Sequence, residues 1–355
     1  MIIYIHMSSH SVLIELLKTH TILNIAEHLS VAQGTVRRWV EQGKTPKSYD
    51  IDLHRMLGTS ICYNKYTFSE KDQFFTPPET ALCCWETFRK KIKEYGDDPN
   101  DYHYIEPSAG NGVFFNLLPS TKRIGFDIEP KHDEIIKQDF LSWEPTLEYN
   151  TKYVVIGNPP FGLRGNLALR FIKSCQMYAD YVCFILPQLF ESDGKGSTRN
   201  RVQMNLIYNQ KLQNPVFYDP SGRKVKVECI FQIWSKYHTN PNYEGVKSSI
   251  EDTIVKIYSL SDGGTSSSTR NKSKLTSCDV YLPSTCFGKE SMKSYQTFEE
   301  LPNRRGYGVL FLIPNKETFV QQCMQHDWNQ DAFFSTNSAL NLRKSSILKR
   351  IEALN

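Results

Sequence analysis

The stretch with the clearest chemical capability consists of four consecutive residues, Asn158, Pro159, Pro160 and Phe161. The apolar run before it, residues 154–156, predicts the end of a buried strand. Each proline lacks a backbone N–H and fixes φ, so the chain must leave the sheet as a stiff turn. An amide oxygen and a carbonyl held in such a turn can accept hydrogen bonds from a planar amine, while an aromatic ring stacks on its base.

This arrangement suits the exocyclic amine of adenine, whose lone pair is delocalised into the ring. Two acceptors that draw the amine hydrogens out of the plane localise that lone pair and aim it at an electrophile, without a general base. The same four residues are also explained by an ordinary turn that follows a strand.

Residues 104–114 predict a strand, a glycine-bearing turn and the start of a helix. Gly110 and Gly112 allow a ligand to lie against the backbone. The next predicted strand ends in Asp127, which suits the ribose hydroxyls of an adenosine. Glu106, just before the turn, would repel a pyrophosphate and attract an ammonium group, so the pattern favours S-adenosylmethionine over NAD.

Asp139 and Phe140 follow a third short strand and predict contacts that bracket an adenine ring, with the carboxylate accepting from its amine. Each of the two acids, Asp127 and Asp139, is also explained as a solvated strand end. Strands and helices alternate from residue 104 to residue 237, which predicts a mostly parallel α/β sheet.

The N-terminal residues 22–39 have the spacing of a helix-turn-helix, with Ala26, Val36 and Trp39 facing inward. The outward residues of the second helix that suit DNA contacts are Gln33, Thr35, Arg37 and Arg38. A helical bundle used for packing or dimerisation explains the same pattern.

Basic segments occur in two further places. Residues 191–201 predict a mobile polar loop, and residues 241–355 predict a separate α+β lobe. The residues that suit DNA phosphates in these segments are Lys195, Arg199, Arg201, Arg304 and Arg305. A purely structural role for the C-terminal lobe is the alternative.

The composition narrows the class of protein. The 355 residues carry a net charge of +4 with a pI near 8.4, which permits nucleic-acid binding without requiring it. The nine cysteines show no metal-ligand spacing and predict reduced, mostly buried thiols. No signal peptide and no apolar run of membrane-spanning length is visible. We therefore expect a cytoplasmic protein with no metal and no membrane partner.

Taken together, the motifs resemble those of the amino-methylating DNA methyltransferases, and among them the gamma group of N6-adenine enzymes. The resemblance covers roughly residues 74–237 and depends on the order of five motifs: Thr76-Pro77-Pro78, the segment from Glu106 to Gly112, Asp127, Asp139-Phe140, and the tetrapeptide from Asn158 to Phe161. The phenylalanine that ends the tetrapeptide favours adenine N6 over cytosine N4. The helix-turn-helix is not part of the family pattern.

The resemblance implies a Rossmann-like sheet with one reversed strand, a flipped-out target base and a C-terminal target-recognition domain. It implies duplex DNA as a partner, a possible cognate restriction endonuclease and association with the nucleoid. The N-terminal helical pattern and the change of composition near residue 240 predict three domains, 1–60, 61–240 and 241–355. The implied cofactor is S-adenosylmethionine, bound by Thr76, Pro77, Glu106, Pro107, Ser108, Ala109, Gly110, Gly112, Asp127, Ile128, Asp139, Phe140 and Asn158.

Three alternatives stay open at this point. The first is an N-methyltransferase acting on RNA guanine or on protein glutamine, because the nitrogen that would be methylated belongs to a planar NH₂ group in both. The second is a DNA-binding regulator with a degenerate methyltransferase fold. The third is a dual role, in which the N-terminal module represses its own operon.

Overall fold

The structure is a computed structural model that describes residues 7–29, 31–146, 150–193, 197–213, 216–243, 249–265, 268–288, 290–334 and 339–354. The chain forms two compact units, Met1–Phe75 with Tyr218–Arg223, and Thr76–Phe217 with Lys224–Asn355. The division into three domains at residues 60 and 240 stays a prediction.

Helices make up the N-terminal part of the first unit. They are α1 (Ser9–Leu16), α2 (Ile22–His28), α3 (Gln33–Glu41) and α4 (Asp50–Leu57). Thr21 caps α2 through its hydroxyl, which accepts from the N–H of Asn24. Ala26, Val36 and Trp39 are buried in one apolar cluster, so α2 and α3 pack through the predicted inward faces.

A seven-stranded sheet forms the centre of the second unit. The elements up to residue 235 are α5 (Pro78–Glu94), β1 (Tyr102–Glu106), β2 (Arg123–Asp127), β3 (Ile136–Lys137), β4 (Lys152–Gly157), α6 (Asn166–Cys175), β5 (Tyr181–Pro187), β6 (Asn205–Lys211), β7 (Val216–Tyr218), β8 (Lys224–Lys226) and β9 (Cys229–Ser235). The strand order is β3-β2-β1-β4-β5-β9-β6, with β7 and β8 in a separate pair. Neighbours are parallel from β3 to β5, and β9 is antiparallel to both β5 and β6. The expected mostly parallel sheet with one reversed strand is confirmed.

Helices α5 and α6 cover opposite faces of the seven-stranded sheet. On α5, Phe88 makes edge contacts with Tyr104 and Tyr181. The strand neighbours of these tyrosines, Ile105 and Val182, belong instead to the apolar cluster that contains α6. Because successive side chains of a strand point to opposite faces, α5 and α6 must lie on opposite sides. A sheet covered on both faces explains why β5 and β9 are buried at every residue.

The helix expected after the glycine turn is absent, which corrects that prediction. Residues 107–122 are all described and contain only two 3₁₀ turns, Phe115–Leu117 and Ser120–Lys122. The reason is Pro119, since a residue that precedes proline is disfavoured in the helical region. Leu118 is accordingly extended, with φ −79° and ψ 149°.

The C-terminal part of the second unit contains β10 (Val255–Ser261), β11 (Val280–Pro283), β12 (Thr285–Cys286), β13 (Arg305–Phe311), α7 (Glu317–Gln325), β14 (Phe333–Phe334), β15 (Leu340–Asn341) and α8 (Lys344–Leu354). The strands form two three-stranded sheets, β10-β13-β11 and β12-β15-β14. Val309, Trp328 and Ile351 are fully buried in a cluster that joins the first of these sheets to α8.

We expect acid to destabilise the second unit through Asp97. Burial alone would raise the pKa of Asp97, but hydrogen bonds from Tyr181, His238 and Tyr102 outweigh it and hold that pKa below its usual value. A carboxylate with a lowered pKa in the folded state stabilises the fold above its unfolded-state pKa, and this contribution is lost as pH falls through the lowered value. Asp97→Asn should lower the free energy of unfolding by about 1–3 kcal/mol at pH 7.

Urea unfolding of wild type and Asp97→Asn between pH 3 and pH 7 measures this contribution. The difference between the two proteins should shrink in acid, and the exposed Asp133→Asn variant should show no such change. A difference that stays constant down to the lowest pH would contradict the assignment.

Candidate functional site

The predicted site residues lie at the point where the strand order of the sheet reverses. From β1 the chain adds β2 and β3 on one side, and it then returns to place β4 and β5 on the other. Because β1 and β4 are parallel neighbours, their carboxyl ends open a crevice, which is where open α/β sheets bind ligands. Glu106 is the last residue of β1, and Asn158 follows the last residue of β4.

The glycine turn after β1 is fixed against the end of β2. The N–H of Gly110 donates to Oδ2 of Asp127 at 2.8 Å, and the N–H of Ala109 donates to the carbonyl of Phe126 at 2.8 Å. Gly112 has φ +81°, and a Cβ there would come within 2.9 Å of the His132 ring. The turn therefore needs glycine at this position, for both backbone conformation and space.

Both carboxylate oxygens of Asp127 are held by the backbone. Oδ1 accepts from the N–H of Glu129 at 2.8 Å, while Oδ2 accepts from Gly110. Burial raises the pKa of Asp127, and these two N–H groups oppose that shift. Each oxygen keeps a further lone pair, so the carboxylate can still accept from two hydroxyl groups.

The structure places Asp139 and Phe140 differently from each other. Asp139 is half-buried just after β3, where its Oδ1 accepts from the N–H of Leu141 at 3.0 Å. The Phe140 ring is buried in the apolar core and stacks on Phe171 at 5.6 Å between centroids. Phe171 covers one face of the Phe140 ring in this way, and the expected contact of Phe140 with an adenine stays a prediction.

Asn158 is fixed by two hydroxyl groups. Its Nδ2 donates to Oγ1 of the buried Thr76 at 3.2 Å, and its backbone carbonyl accepts from the hydroxyl of Ser108 at 3.2 Å. The amide is thereby turned so that Oδ1 faces away from Thr76. That Oδ1 is buried and has no hydrogen-bond partner among the described residues.

Glu106 presents a second buried acceptor at the same crevice. Its side chain is 2% exposed, and its Oε2 has no hydrogen-bond partner within the described part of the chain. Burial raises the pKa of Glu106 well above its usual value, while the N–H of Phe115 opposes the shift and the nearby Asp127 adds to it. A Cβ on Gly157, at the end of β4, would lie 3.2 Å from Cγ of Glu106, so the two strand ends are in close contact.

These two orphan acceptors suggest what the crevice can bind. A buried polar atom without a partner is rare in a folded protein and costs about 1–3 kcal/mol. A carboxylate suits an ammonium group, and an amide oxygen suits an amine. The glycine turn and Asp127 supply backbone groups and a carboxylate for a nucleoside, so the residues fit S-adenosylmethionine.

The backbone after the tetrapeptide turns sharply. Phe161 and Pro160 are half-buried, and positive φ angles follow at Gly162, Arg164 and Gly165. A Cβ on Gly162 would lie 2.5 Å from Cβ of Leu167. The turn is therefore fixed on both sides, by hydroxyl contacts before it and by close packing after it.

The residues predicted to bind DNA differ in how exposed they are within their own units. Gln33, Arg37 and Arg38 are exposed on α3, and Thr35 is half-buried there. Arg201 and Arg305 are exposed, Arg304 pairs with Asp262 at 2.6 Å, and Arg199 is half-buried. Lys195 lies outside the described residues.

The support given to Asn158 was not predicted from the motifs. The family resemblance implies cofactor contacts for Thr76 and Ser108, whereas in the structure their hydroxyls contact Asn158 from 82 and 50 positions away along the chain. In the sequence, the only feature that could have indicated these contacts is that Thr76 and Ser108 are hydroxyl residues in motifs that also contain proline.

No group of three or more His, Cys, Asp or Glu side chains that could hold a metal occurs in the described ranges. None of the helices described here is long and apolar enough to cross a membrane.

No protein-family model and no curated protein matches the chain. Similar solved structures include a Pyrococcus horikoshii protein named as a candidate RNA methyltransferase, with 14% identity and a TM-score of 0.38 over 54% of this chain and 98% of that one. A Thermoplasma acidophilum protein has 18% identity and a TM-score of 0.31 over 46% and 88%. The Type IIL restriction-modification enzyme MmeI, solved with DNA, has 8% identity and a TM-score of 0.30 over 56% and 43%. Because all three TM-scores are below 0.4, these similarities do not support any conclusion about the function of this chain.

Proposed function

We propose that this chain is an S-adenosylmethionine-dependent methyltransferase that acts on the N6 amine of an adenine flipped out of duplex DNA. The observation that carries the proposal is the buried Oδ1 of Asn158, an acceptor without a partner in the described structure, at the carboxyl end of β4. A rigid Pro-Pro turn follows it, and Thr76 fixes its orientation.

The cofactor would be held at the ends of β1, β2 and β3. Glu106 would pair with its ammonium group, the turn from Pro107 to Gly112 would lie along it, and Asp127 would accept from the ribose hydroxyls. Asp139 would accept from the adenine amine, with Phe140 contributing through its backbone and Ile128 through apolar contact. S-adenosylmethionine supplies, when bound, a sulfonium methyl group that passes to the amine nitrogen as its bond to sulfur breaks, and the amine proton leaves to solvent.

The remaining residues would prepare the acceptor base. The Oδ1 of Asn158 and the carbonyl of Pro159 accept from the two N6 hydrogens and localise the lone pair on nitrogen. Phe161 stacks on the extruded base and recovers part of the few kcal/mol that base flipping costs. Orientation of a neutral amine is the main contribution, since no side chain is required as a base.

One experiment tests the proposal against its alternatives. The purified chain is incubated with radiolabelled cofactor and, in separate reactions, with duplex DNA, RNA and a protein mixture. Transfer to DNA that appears as N6-methyladenine supports the proposal, whereas transfer to RNA or protein alone would overturn it. Sequencing modified bases in DNA from cells that express the chain identifies the site. A cognate restriction endonuclease stays a prediction.

Thr76→Val tests the contact that orients Asn158. The variant keeps the shape of the side chain but loses Oγ1, which accepts from Nδ2 of Asn158. One hydrogen bond contributes about 0.5–1.5 kcal/mol, so kcat should fall about 3- to 10-fold with little change in KM for the cofactor. Thr76→Ser keeps the oxygen and should retain the rate. A rise in KM alone would place Thr76 at the cofactor instead.

We further expect α3 to contact DNA phosphates. Replacing Arg37 and Arg38 by alanine should reduce the slope of log K against log salt by about 0.9 for each phosphate that the protein no longer neutralises. The exposed Arg89→Ala variant on α5 serves as the control. Unchanged slopes and an unchanged methylation site would mean that α3 is used for packing or dimerisation.

A further inference from the structure

A pocket of about 170 Å³ lies beside the C-terminal end of β6. Four basic residues line it, Arg199 and Lys211 from the central part of the chain and Arg343 and Lys349 from the C-terminal segment. Its volume is below the range of about 300–1,000 Å³ typical of pockets for drug-sized ligands. A small anion therefore fits this pocket better than a second nucleoside does.

The pocket opens on the same edge of the sheet as Asn158. Because β9 is antiparallel to both β5 and β6, β6 runs in the direction of β4 and β5. Lys211, at the end of β6, and Asn158, just after β4, therefore lie at the same edge. Three strand spacings separate β4 from β6, or roughly 14 Å, which equals the rise of about four nucleotides along one strand of duplex DNA.

The acidic residues of the pocket already have partners. Oε1 of Glu191 accepts from Asn209 at 3.0 Å, and a carboxylate oxygen of Asp193 accepts from Ser345 at 2.5 Å. The third acid, Asp331, is bound by both His326 and Arg350. Arg350, which does not line the pocket, pairs with the charge of Asp331, and Nζ of Lys211 lies 3.8 Å from Oε2 of Glu191. The four basic residues of the pocket therefore face two carboxylates that have no cation from outside it in the described part of the chain.

The described protein groups leave part of the hydrogen-bonding capacity and charge of Arg199 and Arg343 without a partner. Arg343 has a buried Nε with no hydrogen-bond partner among the described residues, and its guanidinium lies 5.3 Å from the centre of the Phe333 ring. Nη2 of Arg199 donates to the carbonyl of Tyr243 at 2.5 Å, which is a neutral acceptor. Burial lowers the pKa of Arg199, a shift that an anion in the pocket would oppose.

We infer that this pocket binds one phosphodiester group of the nucleic acid strand that carries the acceptor base, about four nucleotides from that base. Arg199 and Arg343 supply fork-shaped donors for the phosphate oxygens, and Lys211 and Lys349 add positive charge. The inference rests on the proposed function for the identity of the strand. The pocket adds a contact between the substrate and the C-terminal segment, which supplies Arg343 and Lys349. This contact lies at the edge of the sheet where Asn158 also lies.

Binding to a non-specific duplex tests the pocket without any methylation. In Arg199→Gln and Arg343→Gln, the slope of log K against log salt should fall by about 0.9, the value for one phosphate. Arg89→Gln, the same change at an exposed arginine, should keep the wild-type slope. Unchanged slopes in both pocket variants would overturn the inference. If the slope falls for the pocket variants on an RNA duplex and not on a DNA duplex, the phosphate site is supported and the proposed DNA substrate is wrong.

A second measurement covers variants that fold poorly. Wild type is melted in sodium phosphate and in sodium chloride at equal ionic strength, together with Arg343→Lys and Arg89→Gln. Phosphate should raise the melting temperature of wild type and Arg89→Gln by the same amount and that of Arg343→Lys by less. Equal shifts in all three proteins would count against a phosphate site.

The position of the contact is tested on a duplex with a mapped methylation site. Single neutral methylphosphonate linkages replace the phosphates one at a time on the strand of the target adenine. A linkage about four nucleotides from the adenine should weaken binding of wild type but not of Arg343→Gln. An effect seen only at linkages adjacent to the adenine would overturn the placement.

Discussion

Asn158→Ala should yield a folded protein that binds S-adenosylmethionine and does not methylate DNA. The substitution removes the buried Oδ1, the acceptor to which we assign the amine of the target base. Loss of one preorganised hydrogen-bonding group at a reacting centre costs about 10²–10³ in kcat, and loss of orientation adds to it. Single-turnover transfer of a labelled methyl group measures the rate, and calorimetry measures cofactor affinity.

Asn158→Asp is the matched control for that result. It keeps an oxygen acceptor at the same position, and its other oxygen can accept from the hydroxyl of Thr76, so part of the rate should remain. Full activity in Asn158→Ala would refute the assignment. A parallel loss of cofactor binding would instead make Asn158 a support of the cofactor pocket.

Glu106→Gln should raise thermal stability and weaken cofactor binding at the same time. A carboxyl group whose pKa is raised by burial favours the protonated form in the folded state, so the unliganded protein loses stability as pH rises through that value. The neutral amide of glutamine at position 106 removes this loss of stability. It also removes the partner that we propose for the cofactor ammonium, and loss of one member of a buried charge pair costs about 2–5 kcal/mol, or more than roughly 30-fold in affinity.

The same residue predicts how cofactor affinity depends on pH. An ammonium group pairs with the ionised carboxylate, so wild-type affinity should fall as pH is lowered through the raised pKa of Glu106. Glu106→Gln should lose this dependence, while the exposed Glu144→Gln variant should keep it. Titration calorimetry over the pH range measures the effect. A Glu106→Gln protein with lower stability and normal affinity would show that Glu106 is structural.

The sequence predicted the strands that hold the site because they are continuous apolar runs. The run before Asn158 and the run from Tyr181 are buried at nearly every residue, and only strands covered on both faces need such composition. β6 was missed because its apolar residues are few and a register shift between Leu206 and Tyr208 interrupts their alternation. β10 does alternate, with Val255 and Ile257 buried around an exposed Lys256, but the strand was not predicted.

The contacts within the site were less predictable than the motifs that contain them. Motif order placed Glu106, Asp127 and Asn158 at strand ends, and parallel strands bring such ends together. Which hydroxyl would hold the amide of Asn158 depends on packing between segments far apart in the chain. The burial of Phe140 against Phe171 depends equally on α6, which lies more than one motif away.

The missing helix after the glycine turn has an electrostatic consequence for the choice of cofactor. The N-terminus of an α-helix carries about half a positive charge and exposes N–H groups, which is how dinucleotide folds attract a pyrophosphate. Here the turn after β1 leads only into the short 3₁₀ segment Phe115–Leu117, so no α-helix begins at the glycine turn. A positively charged sulfonium ligand would therefore meet no helix N-terminus at the glycine turn, and dinucleotides should compete poorly for this part of the crevice.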